Sequence, residues 1–362
     1  MKNVLIIIPS LKLWWWAEKI ATTIWLELYK MWYKIDFFTF YDATNKYNFL
    51  WNEFCLKENL NNNILVKIIK LFSRAFKISQ YCKKNKINSI ISHMEDANFS
   101  SILSKLFWNK TKITVVIHHS ISDYGKWLYY WLIKIFYKYA DNIVVLTKFE
   151  KDNLVNKFWI KDEKVLVIPN SVNIEQINKL KNENLWEYEK LFKKNKFTFI
   201  TTGRLNKIKN QKLMINAFVN FNKKYKDSQL IILWDGDEKE NLKKIANKNV
   251  YFLWNQKNVF KYLNYSNCFL LSSNSESFSI AIIEAMACWL PIISTNTQWP
   301  KEILDNWEYW ILTKNNDENE FYEAMENIFI NSFLIKEYGE KSKKRSRNFT
   351  VSNILKQRIE VI

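Results

Sequence analysis

Glycine is nearly missing from this chain. Its 362 residues include 4 glycines, where average usage of about 7% would supply roughly 25. Cysteine is equally sparse: Cys55, Cys82, Cys268 and Cys288 are scattered, with no paired spacing. That excludes a disulfide framework and a zinc-ribbon pattern, and it suits free thiols in a reducing cytoplasm. No apolar run reaches the roughly 18 residues of a membrane span. The run Val4–Ile8 near the start is preceded only by Lys2 and is cut by Pro9-Ser10, so no signal peptide is expected.

What the chain does have is lysine and tryptophan. Lys and Arg number 54 against 36 Asp and Glu, a net charge of +18, with 48% hydrophobic residues. The balance is that of a globular protein. Its charge suits an anionic membrane surface, nucleic acid or phosphorylated substrates, although an A/T-rich gene would raise lysine whatever the function. The 17 tryptophans, added to the glycines, approach the glycine count an average chain would show. Many tryptophans therefore stand as candidates for glycine positions.

Apolar strand-like and helical segments alternate along the chain. In the first half the strands are Val4–Ile8, Lys34–Phe40, Ser89–Ser92, Ile113–Ile117, Ile143–Leu146 and Val165–Ile168. A polar stretch from Ile174 to Lys196 reads as a connection. The rhythm restarts with Phe197–Thr201, Leu230–Leu233, Val250–Leu253, Cys268–Leu271 and Pro291–Ser294. Strands alternating with helices predict parallel sheets covered on both faces. Two such rhythms predict two doubly wound domains with ligands beyond the carboxyl ends of strands.

Chemistry gathers at those ends. The segment "SSNSESFSIAIIEAMACWLPIISTNTQWP", Ser272 to Pro300, carries Glu276 in a loop and Glu284 in an apolar helix, where a glutamate needs a partner. Two solvated carboxylates are the plain alternative. Arg204 and Lys209 follow the strand Phe197–Thr201, five residues apart, as a fork and a point charge suited to a diphosphate. Asp235 and Asp237 flank Gly236 after Leu230–Leu233 and read either as a metal-holding DxD pair or as a turn between a buried strand and a helix. His118 and His119 end Ile113–Ile117, with no third ligand spaced for zinc.

The glutamate segment resembles the glutamate–seven residues–glutamate motif of the retaining glycosyltransferases of family 4, glycosyl transferases group 1. That motif reads E-G-F-G/S…E-A-M-A-x-G-x-P. Further stretches are similar to the family's patterns: "TGRL" with Lys209, "LWDGD", "PSLKLWWWAEKIA", "LYKMWYKIDFFT", "FWIKDEKVLVIPNSV" and "DNWEYWIL". In these, Trp14, Trp15, Trp16, Trp32, Trp159, Trp234, Trp289, Trp299, Trp307 and Trp310 fall at family glycine sites, and Trp254, after Val250–Leu253, falls at another. One cause would account for all of them: UGA codons that mean glycine in the source organism, read as tryptophan. On that reading positions 14 to 16 are Gly-Gly-Gly in the living protein.

The resemblance implies an α/β chain of GT-B fold, two Rossmann-like domains facing each other across a cleft. Residues 1–172 with 345–362 would form the acceptor-side domain, and 173–344 the nucleotide-sugar domain. It implies transfer of a sugar from a nucleotide-diphosphate donor to an acceptor hydroxyl with retention, without cofactor or metal. Arg204 and Lys209 would stabilise the departing diphosphate, Glu276 would bind the donor sugar, Glu284 the ribose, and His118 the transferred sugar. Trp15, Trp16, Gly203, Asp235, Gly236, Ser277, Phe278, Ser279 and Ile280 would line the donor site; His119 and Asn170 are secondary candidates. Ser277 departs from the motif's glycine.

The expected partners are a nucleotide sugar and a carbohydrate or lipid-linked acceptor, with no nucleic acid. The lysine-studded apolar segments Ile64–Lys86 and Lys126–Lys138 read either as core helices or as contacts to an anionic membrane. The chain would then be cytoplasmic, or peripheral on the inner face of the cell membrane. The rival from another class is a non-catalytic basic protein, binding membrane or nucleic acid on the same scaffold.

Overall fold

The computed structural model describes residues 2–12, 16–43, 52–61, 63–118, 127–185, 188–192, 196–276, 278–304 and 310–360. They form two compact units, 1–170 with 352–362, and 171–351. Arg345 to Val351 thus stay with the second unit, and the return to the first begins at Ser352. Arg345 is tied into the second unit by its guanidinium, which donates to the carbonyls of Ile303 (2.8 Å) and Glu302 (3.1 Å).

In the first unit the strands are β1 (Asn3–Ile8), β2 (Lys34–Thr39), β3 (Asn52–Cys55), β4 (Ser89–His93), β5 (Lys112–Val116), β6 (Asn142–Val145) and β7 (Val165–Val167). They form a sheet of order β3-β2-β1-β4-β5-β6-β7, parallel throughout. In the second unit they are β8 (Phe197–Thr202), β9 (Ser228–Leu233), β10 (Val250–Trp254), β11 (Cys268–Leu271), β12 (Ile292–Thr295) and β13 (Ile311–Thr313). Their order is β10-β9-β8-β11-β12-β13, again all parallel.

Both sheets reverse their winding once, between β1 and β4 and between β8 and β11. Ligands bind at such switch points, beyond the carboxyl ends. Val4 to Ile8 are all fully buried, as expected of a strand covered on both faces, where an unbroken apolar run replaces alternation. Two strands escape the sequence pattern. β3 reads NEFC, with little apolar signal, and β13 has only three residues. The stretch Ile174–Lys196 is more than a connection: it holds the helices Ile174–Leu180 and Glu189–Phe192, and Ile177 and Leu185 are buried.

The backbone singles out tryptophan. Trp32, Trp108, Trp159, Trp234, Trp254 and Trp289 all have φ between 50° and 128°, a region that costs an L-residue roughly 1–2 kcal/mol and glycine nothing. Four of them sit just past helix ends. Tyr33, next to Trp32, donates its N–H to Leu28 O, Asn109 to Ser104 O, Ile160 to Leu154 O and Leu290 to Ala285 O. These are the bonds that close a helix around a left-handed residue, usually glycine. Trp234 and Trp254 lie at the carboxyl ends of β9 and β10, where Trp234 N–H donates to Trp254 O at 2.9 Å. Trp108 is not among the tryptophans at the family's glycine sites and joins the set on geometry alone. Trp14, Trp15 and Trp307 lie outside the described residues.

Candidate active site

The switch point of the second unit gathers most of the candidate residues. β8 exits through Gly203, Arg204 and Leu205; β11 exits into Ser272, Ser273, Asn274 and Glu276. The two loops are sewn together: Ser272 Oγ donates to the carbonyls of Lys209 (3.1 Å) and Asn210 (2.9 Å), and Asn274 N–H donates to Ile208 O at 2.8 Å. The result brings Lys209 Nζ to 2.5 Å from Glu276 Oε1, which also accepts from Ser273 Oγ at 2.7 Å. Glu276 is buried and Lys209 partly so. A buried carboxylate with one partner removed is costly, so this pair fixes both loops while keeping a cation at the switch point.

Neighbouring features complete the loops around this switch point. Gly203 has φ 147°, and a Cβ added there would meet nothing within 4 Å, so its backbone is open on that side. Gly236 is required for a different reason: a Cβ would lie 2.2 Å from Leu205 O. Leu205 is clasped by the β9 exit, donating N–H to Asp235 O and accepting from Glu238 N–H, both at 3.1 Å. Arg204 points outward, its Nη2 3.1 Å from Asp237 Oδ2, with the side chain more than half exposed. Asp235 accepts from Gly236 N–H at 2.8 Å and lies 3.4 Å from Lys239 Nζ. Each aspartate of the DxD pair is thus partnered with a different cation. Among the described residues no cluster of three His, Cys, Asp or Glu is placed to hold a metal.

The helix Ile280–Ala287 follows, entered from Ser279 with extended backbone (φ −81°, ψ 92°). Ile280, Phe278 and Glu284 are all buried. Phe278 is braced by Phe349, ring centroids 6.2 Å apart. Ser277 lies outside the described residues.

The first unit holds the remaining described candidates past its strand ends, His118 after β5 and Asn170 after β7. His118 lies just past β5 and is buried. His93, the last residue of β4, stacks against it with centroids 5.1 Å apart, and Nδ1 of His93 is 2.8 Å from Nε2 of His118. The register explains the meeting: His93 pairs with Val116, two residues before His118. Sequence reasoning missed His93; its one signal was its place at a strand end. Burial, then His118 and then Arg358 push the His93 pKa well below the usual histidine range. Asn170 is buried beside this region of the chain's return, its Oδ1 without a partner among the described residues. Arg358 reaches the neighbouring Pro169 carbonyl at 3.5 Å.

Glu18, near the start of the helix Trp16–Lys30, was also missed. Burial raises its pKa to about 7, against weaker stabilisation from Ser10. His119 and Trp15 lie outside the described residues, and Trp16 opens its helix. Burial pushes the thiols of Cys82 and Cys288 up to about 12, which leaves them unreactive.

Comparison with known proteins gives this geometry its context. Residues 182–347 match Glycosyl transferases group 1, and residues 50–176 match Glycosyltransferase Family 4. An uncharacterized glycosyltransferase of Methanocaldococcus jannaschii is 35% identical over 305 residues, 78% of this chain and 75% of its own length. The N-acetylgalactosamine-N,N'-diacetylbacillosaminyl-diphospho-undecaprenol 4-alpha-N-acetylgalactosaminyltransferase of Campylobacter jejuni is 24% identical over 83% of each chain. Among solved structures, a glycosyltransferase from Rickettsia africae superposes with a TM-score of 0.81 at 16% identity, covering 99% of this chain and 97% of that one. Anabaena HepE in complex with UDP gives 0.78 at 16% identity, covering 99% of each. Such distant likenesses show the GT-B fold. Together with the sequence matches they settle the family: this chain is a glycosyltransferase of group 1, family 4.

Proposed function

We propose that the chain transfers a hexosyl group from a nucleoside-diphosphate sugar to an acceptor hydroxyl, with retention and without a metal ion. The observation that carries this reading is the Lys209–Glu276 pair at the β8/β11 switch point. In the reaction the anomeric C–O bond to the diphosphate breaks, the acceptor oxygen bonds the anomeric carbon from the same face, and the acceptor's hydroxyl proton passes to the departing diphosphate. Negative charge grows on the leaving diphosphate, and fixed cations aimed there lower the barrier. Lys209 is held for that task; Arg204, on a flexible exposed stem, would leave Asp237 for the phosphate. Glu276 would hold sugar hydroxyls, and Glu284 the ribose. Lys209→Ala should cut transfer by about 100-fold, the scale of losing one oriented charge. Proton NMR of the first product reads the anomer; inversion would refute retention, and full activity of Lys209→Ala would refute the site.

The acceptor we propose is lipid-linked. Relatives that act on sugars joined to diphospho-undecaprenol support it. So does the helix Ile64–Lys84, whose outer face exposes Ile64, Leu65, Ile68, Ile69, Phe72 and Phe76. The helix carries lysines and Arg74 but no Asp or Glu. Arg74 is buried against Glu58, but the exposed charges of the helix, Lys67, Lys77, Lys83 and Lys84, are all cations. Beside an apolar stripe they suit an anionic bilayer, and like charge disfavours a second copy of the chain. Sedimentation with vesicles containing anionic lipid should capture the protein and neutral vesicles should not; Ile68→Glu with Ile69→Glu should abolish capture. Equal binding to both vesicles, or none, would sink the membrane reading while leaving the transfer assay untouched.

We also propose that the tryptophans with positive φ stand where the living protein has glycine, through UGA read as glycine. The backbone angles support it independently of the family patterns. Mass spectrometry of the natively produced protein tests it: glycine masses at positions 32, 159 and 289 are expected, and tryptophan masses there would overturn it.

A further inference from the structure

His93 and His118 touch, at the end of neighbouring strands and beside the first unit's switch point. Two imidazole nitrogens 2.8 Å apart share one proton, so one ring donates and the other accepts. The other nitrogen of His93, Nε2, is buried with no partner among the described residues. A buried N–H left alone is rarer and costlier than a bare acceptor. The nearby cation points the same way. Arg358 is buried, its Nε unpartnered and its Nη2 reaching only the Pro169 carbonyl among its described contacts. Its charge acts on His93 and disfavours a second proton on that ring.

We infer that His93 is a positioning residue that fixes the tautomer of His118: His93 Nδ1–H donates to His118 Nε2, and the His118 proton is held on Nδ1. In the proposed reaction, on which only this consequence rests, the fixed tautomer would set which ring nitrogen of His118 can donate and which can accept. Burial and the contact with His118 both disfavour a proton added to His93.

The chain has three histidines, so the test is a spectrum of few signals. Long-range proton–nitrogen correlation on the full chain with 15N-labelled histidine reads which ring nitrogen is protonated, with His118→Gln and His119→Gln assigning the signals. A pyrrole-type Nδ1 and pyridine-type Nε2 are expected for His118, and a pyrrole-type Nδ1 for His93. His93→Leu should return His118 to the Nε2–H form that free imidazoles favour. His93→Asn, whose amide N–H stands near the lost Nδ1–H, should restore the Nδ1–H form. His118 protonated on Nε2 in the unaltered protein overturns the inference, as does an unmoved His118 signal in a folded His93→Leu variant. If that variant does not fold, the spectrum of the unaltered protein decides. No donor or acceptor enters the measurement, so a missing transferase activity would fail the proposed function and leave this result standing.

Discussion

Replacing Trp32, Trp108 and Trp159 together with glycine should stabilise the first unit. All three have φ between 55° and 64° and are at least 74% exposed, so the indoles bury little that would be lost. Each relieved left-handed residue returns roughly 1–2 kcal/mol, less about 0.5–1 for the freedom glycine gains in the unfolded chain. Trp159 also carries Lys134 Nζ 3.8 Å above its ring, a contact of about 0.5–1 kcal/mol at an exposed site. The net gain is then about 1.5 kcal/mol, or roughly 3–6 °C in Tm for a unit of this size. Calorimetry reads the shift. The matching triple alanine variant is the control, because it removes the same indoles and keeps the Cβ. Alanine should gain nothing comparable; a glycine variant no more stable than the alanine one would refute the strain argument.

Three further outcomes are expected. Glu18 has a folded pKa of about 7, above that of the unfolded chain. The folded form therefore binds the extra proton, and stability falls as pH rises from about 4.5 to 7. Glu18→Gln should flatten that slope in urea titrations and add about 3 kcal/mol above pH 7, at 1.36 kcal/mol per pKa unit; an unchanged slope would contradict the burial account. Gly236→Ala forces a methyl onto Leu205 O and should cost about 1–3 kcal/mol in denaturant unfolding, whereas Gly203→Ala meets no atom and should cost only the φ strain. Glu276→Gln should weaken donor affinity and loosen the loop, seen as faster hydrogen exchange at Asn274, whose N–H seals the two loops.

Much of this architecture is written locally. Buried parallel strands read as short apolar runs, and the restart of the rhythm at Phe197 marks the second unit. β3 and β13 escape because one is half polar and the other too short to show a period. The site divides in the same way. Lys209 and Glu276 each stand in a recognisable loop, but their contact spans 67 residues and exists only because β8 and β11 are neighbours. His93 and His118 sit 25 residues apart, and nothing local says that two strand ends will bring their rings together. Glu18 looks like an ordinary first-turn acid until the packing around it removes water. The tryptophans are the reverse case: their misfit with turn chemistry is legible in the sequence, and the backbone angles give it a physical form.

The measurement closest to the central claim is calorimetric titration of the full chain, made with glycine at positions 14 to 16 and at the six tryptophans that have positive φ among the described residues, against UDP, GDP, ADP and dTDP. The account predicts that one of these diphosphates binds without added metal, and that Lys209→Ala weakens it at least tenfold, about 1.4 kcal/mol. Binding of none of the four, or binding indifferent to Lys209, would contradict a donor site at the β8/β11 switch point.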